Sequence, residues 1–339
     1  MSWPRSRPFP AEWPGPRGAS DVNTSALHAQ LSHTLRQTDL PTLGQPYKGK
    51  VRDTYRKGDT LLLVTSDRLS AFDHVLTTIP FKGEVLNRLA AFWFERTKHI
   101  CQNHVLDVPD ANVTVARACE PFSVEVVVRG YLTGSLWRDY EKGTHTAYGI
   151  PFPEGLRKDS AFPTPLLTPS TKAEYGKHDE PISEKEILAR GLATPRDWAR
   201  ITEAARGLFE EGQKWARTRG LILVDTKYEF GKVGDELFVI DEMHTPDSSR
   251  YWVADEYEAR FARGEDQRML DKENIRQWLI RERNFSGHGA LPAIPDDVRV
   301  DLATKYVAAY ERITGTSLEL TPGDVHARIE QNLRAKGYL

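Results

Sequence analysis

Hydrophobic and polar positions alternate most informatively between Leu221 and Arg250. The apolar run over residues 221–224 predicts a buried strand. Strand side chains point alternately to two faces, so Asp225, Lys227 and Glu229 fall on one and Thr226, Tyr228 and Phe230 on the other. Residues 231–235 predict a turn, and residues 237–240 a second buried strand that ends on Asp241 and Glu242. The result is a hairpin that returns acidic groups towards the first set, beside a lysine. Three charges on one strand face are costly unless they bind something. Two converging carboxylates suit a hard cation such as Mg2+, which takes oxygen ligands and shares them with nucleotide phosphates. A surface hairpin laced by cross-strand ion pairs would carry the same charges. Leu-Ile-Leu-Val running directly into Asp225 fits a solvated strand poorly.

The rest of the chain supplies elements around this hairpin. A proline-rich arm over residues 1–19, with Trp3 and Trp13, reads as extended, and a helix is predicted over residues 22–36 on the stripe Leu27, Leu31, Leu35. Residues 44–50 match the first seven positions of a P-loop, but Val51 stands where Ser or Thr is needed, and the chain then alternates as a strand. A hairpin over residues 50–65 is expected instead, lying over phosphates with Lys50 and Arg52 on one side. A basic edge hairpin without a ligand accounts for the same residues. Residues 66–73 are polar directly after a strand, where ligand-contacting loops lie, although capping and turn chemistry explains them equally. A helix opening at residues 82–87 places Leu86, Leu89 and Trp93 in the core.

Strands at residues 113–115 and 124–128 flank residues 117–122. The second strand leads into Arg129-Gly-Tyr-Leu-Thr-Gly-Ser135, whose arginine fork, hydroxyls (Thr133, Ser135) and glycines suit a phosphate or carboxylate. A capped turn is the alternative. Residues 143–177 are expected to be a long irregular connection, with residues 168–179 as a binding loop. A capping box at Ser183 and Glu186 opens one helix, and Thr194-Pro195 opens a longer one that stops at Gly220. Helical segments near residues 256–283, 295–314 and 322–336 close the chain.

With 339 residues and 38.5 kDa, the chain can bury one large core or two to three lobes. A net charge of −2 gives no electrostatic case for nucleic acid or anionic membrane as partner, so any phosphate site must be local. Cys101 and Cys119 lack metal-ligand spacing and read as plain thiols of a reducing compartment. No apolar run approaches the roughly 20 residues that span a bilayer, and no signal-peptide pattern opens the chain. The expectation is a soluble, cytoplasmic protein.

Residues 121–135 and 223–231 resemble the two signature stretches of the SAICAR synthetase (phosphoribosylaminoimidazole-succinocarboxamide synthase) family. The resemblance extends through Gly49-Lys-Val-Arg-Asp53, residues 66–73, Pro169-Ser-Thr-Lys-Ala-Glu174 and residues 241–252, covering roughly residues 44–315. One departure is Ser123, where the family usually has proline. The resemblance implies an α/β (α+β) fold of two lobes: a protein-kinase-like, β-rich ATP lobe and a larger α/β lobe with C-terminal helices. It places an N-terminal extension at 1–40, the nucleotide lobe at 41–122 and the substrate and metal lobe at 123–339.

It further implies an ATP- and Mg2+-dependent carbon–nitrogen ligase of purine biosynthesis, joining L-aspartate to the carboxylate of a 5-aminoimidazole ribonucleotide (CAIR), and a monomer. By the same resemblance Lys50, Val51 and Arg52 cover the phosphates, Arg117 and Phe122 lie near adenine, and Glu229 and Asp241 hold Mg2+. Arg129, Thr133, Ser135, Asp225, Lys227, Ser249 and Arg250 bind the ribonucleotide, and Ser170, Thr171 and Lys172 close over it. Lys227, Asp225 and Glu229 are the implied catalytic set; Asp73 and Asp179 are weaker candidates. A small-molecule or inositol-phosphate kinase, and a catalytically silent nucleotide-binding module, remain as alternatives.

Overall fold

A computed structural model describes residues 23–72, 74–144, 146–172, 180–270 and 273–339. The proline-rich arm, Asp73 and residues 173–179 with Asp179 lie outside the described residues. The strands are β1 (Tyr47–Lys48), β2 (Arg52–Lys57), β3 (Thr60–Thr65), β4 (Arg68–Ala71), β5 (His74–Thr78), β6 (Val105–Asp110) and β7 (Val113–Arg117). They continue as β8 (Glu120–Tyr131), β9 (Ala161–Leu167), β10 (Ser170–Thr171), β11 (Leu221–Val233), β12 (Glu236–Ile240) and β13 (Ser249–Val253). The helices are α1 (Thr24–Gln30), α2 (Lys82–Thr97), α3 (Gly134–Glu141), α4 (Glu184–Ala189), α5 (Pro195–Thr218), α6 (Ala254–Arg263), α7 (Glu273–Arg283), α8 (Asp296–Thr314) and α9 (Val325–Ala335).

Two larger sheets organise the molecule, in a mixed α/β arrangement. One has the order β1-β2-β3-β7-β6; the other has β10-β8-β11-β12, with β9 added to β8 and β13 to β11. Each owes its register to burial on one face. In β2, Asp53 and Tyr55 are buried while Arg52 and Thr54 are partly exposed, and Gly58 takes the left-handed φ of 61° that its tight turn to β3 needs. Helix α5 starts on the Thr194 side-chain cap with Pro195 at its first turn, buries Trp198, Ile201, Leu208 and Phe209, and delivers the chain through Gly220 to β11.

The main core lies between the second sheet and α2, α5 and α8. A smaller core joins Tyr55, Leu62, Val64, Val113 and Val115 of the first sheet to Val325, Ile329 and Leu333 of α9. The sheets meet where β7 passes into β8 and where Asn103 bridges Val239. Among the described residues no helix is long and apolar enough to cross a membrane.

Several expectations are corrected. The first helix is shorter than the Leu27–Leu31–Leu35 stripe suggests. Leu35 turns into the smaller core, and its N–H donates to Asp67, while Leu27 stays in the main one. Residues 68–71 form a strand rather than an irregular loop. Asp67 accepts the Leu35 and Gly83 N–H groups, and residues 68–71 pair with β5, so capping chemistry accounts for them. The proline-rich connection contains β9 and β10; β9 is an edge strand on β8, where Pro163 and Pro165 are tolerated. The helix expected over residues 256–283 breaks at Gly264, a left-handed cap with φ 68°. Gly231 belongs to β11 rather than the turn, pairing with Phe238 and Pro121 at a point where a Cβ would meet Cys119 at 2.8 Å; Gly234, at φ 58°, makes the turn.

Candidate active site

The face of β11 that carries Asp225, Lys227 and Glu229 is where the two sheets converge. Its neighbours are β8 on one side and β13 on the other, with Asp225 opposite both Arg129 and Arg250. Asp225, 3% exposed, accepts on Oδ2 from Arg129 Nη1 at 3.0 Å and Arg250 Nη1 at 2.5 Å. Arg129 also donates to Thr168 Oγ1 (2.9 Å) and Ser135 Oγ (3.3 Å), so its fork is fully oriented. Gly134 at the start of α3 has φ 61°, and a Cβ there would lie 2.5 Å from Arg250 Nη2. Only glycine lets Arg250 lie against that helix start.

Two residues along, Lys227 Nζ donates to Glu125 at 2.6 Å and to Glu229 at 3.3 Å. Lys172, carried on the segment after β10, donates to Glu229 Oε2 at 2.5 Å. From the other sheet Arg52 reaches Asp241, and its second nitrogen pairs with Glu242 at 2.9 Å. Burial opposes the charged form of Lys227, but Glu229 and Glu125 outweigh it and raise its pKa. Burial likewise works against the Asp241 carboxylate, while Arg52, Lys227 and Lys172 hold its pKa below the usual value. Lys172 is raised: burial opposes its charge and Glu229 more than offsets this.

Glu229 pairs in register with Ile240, so Asp241 begins where the β11–β12 ladder ends, and its φ of 69° turns the chain there. Both are hard oxygen donors at one end of a hairpin, and they fit a divalent cation as a partial ligand set. Among the described residues no group of three or more His, Cys, Asp or Glu could hold a metal by itself. Phosphate oxygens and water would have to complete the shell, as is usual for Mg2+.

Other expected residues sit around this cluster. Ser170 and Thr171 pair with Glu125 and Val124 at the edge of β8, and Lys172 N–H donates to Ser123 O at 3.1 Å. That carbonyl would survive in a proline, so Ser123 leaves this contact intact. Lys50 is exposed and lies before β2 rather than in it, and Val51 O accepts from Ser66. Arg117 is exposed at the end of β7, over Phe238 at 5.6 Å, and Phe122 is buried beneath Lys232. Thr133 is buried just before α3. Ser249 lies on the opposite face of the sheet from Asp225: paired with Thr226, it donates to Thr226 Oγ1 at 2.7 Å.

Sequence reasoning passed over Glu125, although a glutamate inside the run Val-Glu-Val-Val-Val is a signal of the same kind as Asp225. It also passed over Thr168 as the partner of Arg129. A cavity of about 580 Å³ between α7 and α8, lined by Trp278, Val298 and Leu302, contains none of these residues.

A mixed α/β fold that gathers arginines, lysines and carboxylates around one central strand suits a protein that acts on small, highly charged substrates. The SAICAR synthetase family model matches residues 45–289. A phosphoribosylaminoimidazole-succinocarboxamide synthase of Legionella pneumophila (strain Lens) is 46% identical over 307 residues, covering 88% of this chain and 97% of that protein. The Saccharomyces cerevisiae SAICAR synthase complexed with SAICAR superposes with a TM-score of 0.73 at 33% identity, over 84% of this chain and 100% of that one. A SAICAR synthetase in complex with ADP has a TM-score of 0.62 at 24% identity, over 81% and 100% of the two chains. The chain belongs to the SAICAR synthetase family. It is a carbon–nitrogen ligase of purine biosynthesis, and the kinase and silent-module alternatives are set aside.

Proposed function

We propose that the β11 cleft binds CAIR, L-aspartate and ATP with Mg2+, and forms the amide through an acyl phosphate. The observation that carries this reading is the order of charges along β11. Asp225 holds two arginines at one end, Lys227 sits in the middle, and Glu229 and Asp241 mark the other end. Arg129 and Arg250, with Thr133 and Ser135, take the ribonucleotide phosphate, which wants fork-shaped donors and hydroxyls. Asp225 orients those arginines. Glu229 and Asp241 would hold Mg2+, which neutralises the triphosphate when bound.

Lys50, Val51 and Arg52 cover the phosphates, and Arg117 and Phe122 flank the base in a nucleotide lobe formed mainly by residues 41–122. An ATP site is supported by the relative that carries ADP. A CAIR carboxylate oxygen attacks the γ-phosphorus, and the β–γ bridging oxygen leaves with ADP. The aspartate amine then attacks the acyl carbon; the C–N bond forms, the C–O bond to phosphate breaks, and the amine proton passes to solvent. Lys227 and Lys172 stabilise the charge on the transferred phosphoryl group and the departing phosphate. Ser170 and Thr171 border that side. The two thiols fit a cytoplasmic setting, and the chain is taken as a monomer.

The test is ADP release from purified protein with Mg-ATP, CAIR and L-aspartate, omitting each in turn. Release that needs all three, with SAICAR as product, supports the reading. Release with CAIR alone would show the acyl phosphate forming before aspartate binds, and no release in any combination would refute the assignment.

A further inference from the structure

The turn that leads into Arg250 is anchored by a buried ion pair that no step of the ligation requires. Lys82, at the start of α2, is fully buried, and its Nζ donates to Asp247 Oδ2 at 2.8 Å. Tyr306 of α8 donates its hydroxyl to Asp247 Oδ1 at 2.6 Å, and Lys82 Nζ lies 5.4 Å from the centre of the Tyr306 ring. The Asp247 side chain is 5% exposed. Two helices from distant parts of the chain thus converge on one carboxylate in a turn.

That turn is itself compact. The Asp247 and Ser248 N–H groups both donate to Thr245 Oγ1 at 3.3 Å. Ser248 O accepts the Lys227 N–H at 2.9 Å, and Ser249 donates to Thr226. The next residue is Arg250. Whatever fixes Asp247 therefore fixes the backbone beside Lys227 and the start of the strand that carries Arg250.

An ion pair with both partners buried is a poor source of stability, because desolvation of the two charges offsets their attraction and an apolar pair of similar volume does as well. What it supplies is direction: two donors from two helices define one place for Asp247. We propose that Lys82 and Tyr306, acting through Asp247, are positioning residues that set Arg250 and the Lys227 backbone for the ribonucleotide. This rests on Arg250 binding CAIR.

The experiment compares Tyr306→Phe, Lys82→Met, the double variant Lys82→Met/Asp247→Asn and Arg250→Ala, varying ATP, CAIR and L-aspartate separately and recording thermal melts. Displacing Arg250 by a fraction of an ångström or more is expected to raise the KM for CAIR about tenfold in the double variant, with the KM for ATP within about twofold of wild type. Its melting temperature should stay close to wild type, since both charges of the pair are removed together. Tyr306→Phe keeps the ring and the ion pair, and should give a smaller rise in the same KM. An unchanged KM for CAIR in the double variant, or an equal rise in all three KM values with a lowered melting temperature, overturns the positioning role. If Arg250→Ala raises the KM for CAIR and the clamp variants do not, only the clamp fails. If Arg250→Ala leaves it unchanged, the site assignment fails and the clamp with it.

Discussion

Lys227 carries the sharpest residue-scale consequence. Glu125 and Glu229 hold its ammonium charged against the cost of burial, so it remains a cation through the neutral range and acts by charge rather than as a base. Lys227→Ala should reduce kcat by about a hundredfold or more, on the scale of losing one preorganised charged donor. The wild-type rate between pH 6 and 9 should show no limb due to this residue. Near-normal turnover of the variant, or an alkaline limb below pH 9 that disappears with it, would sink the assignment. The sequence already shows Lys227 between Asp225 and Glu229 on one face. Glu125 shows the same kind of signal, a lone acid in an apolar run, but no spacing ties it to the β11 charges. Its meaning comes only from standing opposite β11.

At the scale of elements, α9 contributes more than its position at the end of the chain suggests. Val325, Ile329 and Leu333 close the core of the five-stranded sheet, and Arg328 pairs with Glu84 and Asp110. Leu333 is fully buried, so Leu333→Ala should cost about 2–5 kcal/mol, the usual range for emptying a core leucine site. Denaturant unfolding would measure it, and a loss below about 1 kcal/mol would mean the helix is not integral to that core. The helix itself is legible from its apolar spacing. The sheet it packs on is not, because the spacing gives the buried face of an element and never its partner. The same limit explains the first helix, whose leucine stripe is real but is shared between two cores.

Across the whole molecule, two buried histidines predict how the fold responds to acid. Burial lowers the pKa of His104, with Arg52 nearby adding to the effect, and burial alone lowers that of His244; both fall to about 3. At these two sites the folded state therefore binds fewer protons than the unfolded chain between about pH 3 and 6.5, and the stability they contribute is lost as pH falls through that window, opposed in part by buried Asp67, whose carboxyl is pushed up to about 6. At pH 5 this amounts to about 2 kcal/mol per histidine, from 1.5 units below an unfolded value near 6.5. Thermal melts should fall from pH 7 to pH 5 and change little from pH 7 to 8.5. A flat profile down to pH 5 would show that these rings are not held neutral.

The sequence by itself determined the local facts: the alternation that puts Asp225, Lys227 and Glu229 on one face, the caps of α4 and α5, and the glycine turns. These follow from neighbours a few residues apart, where backbone geometry leaves few choices. Only the tertiary structure decided that Asp225 faces Arg129 and Arg250, that Arg52 crosses from the other sheet to Asp241, and that Ser249 lies on the opposite face of the sheet from Asp225. Those pairings join residues far apart in the chain. They are set by the register that buries every apolar face at once, a condition on the whole fold that no local pattern contains.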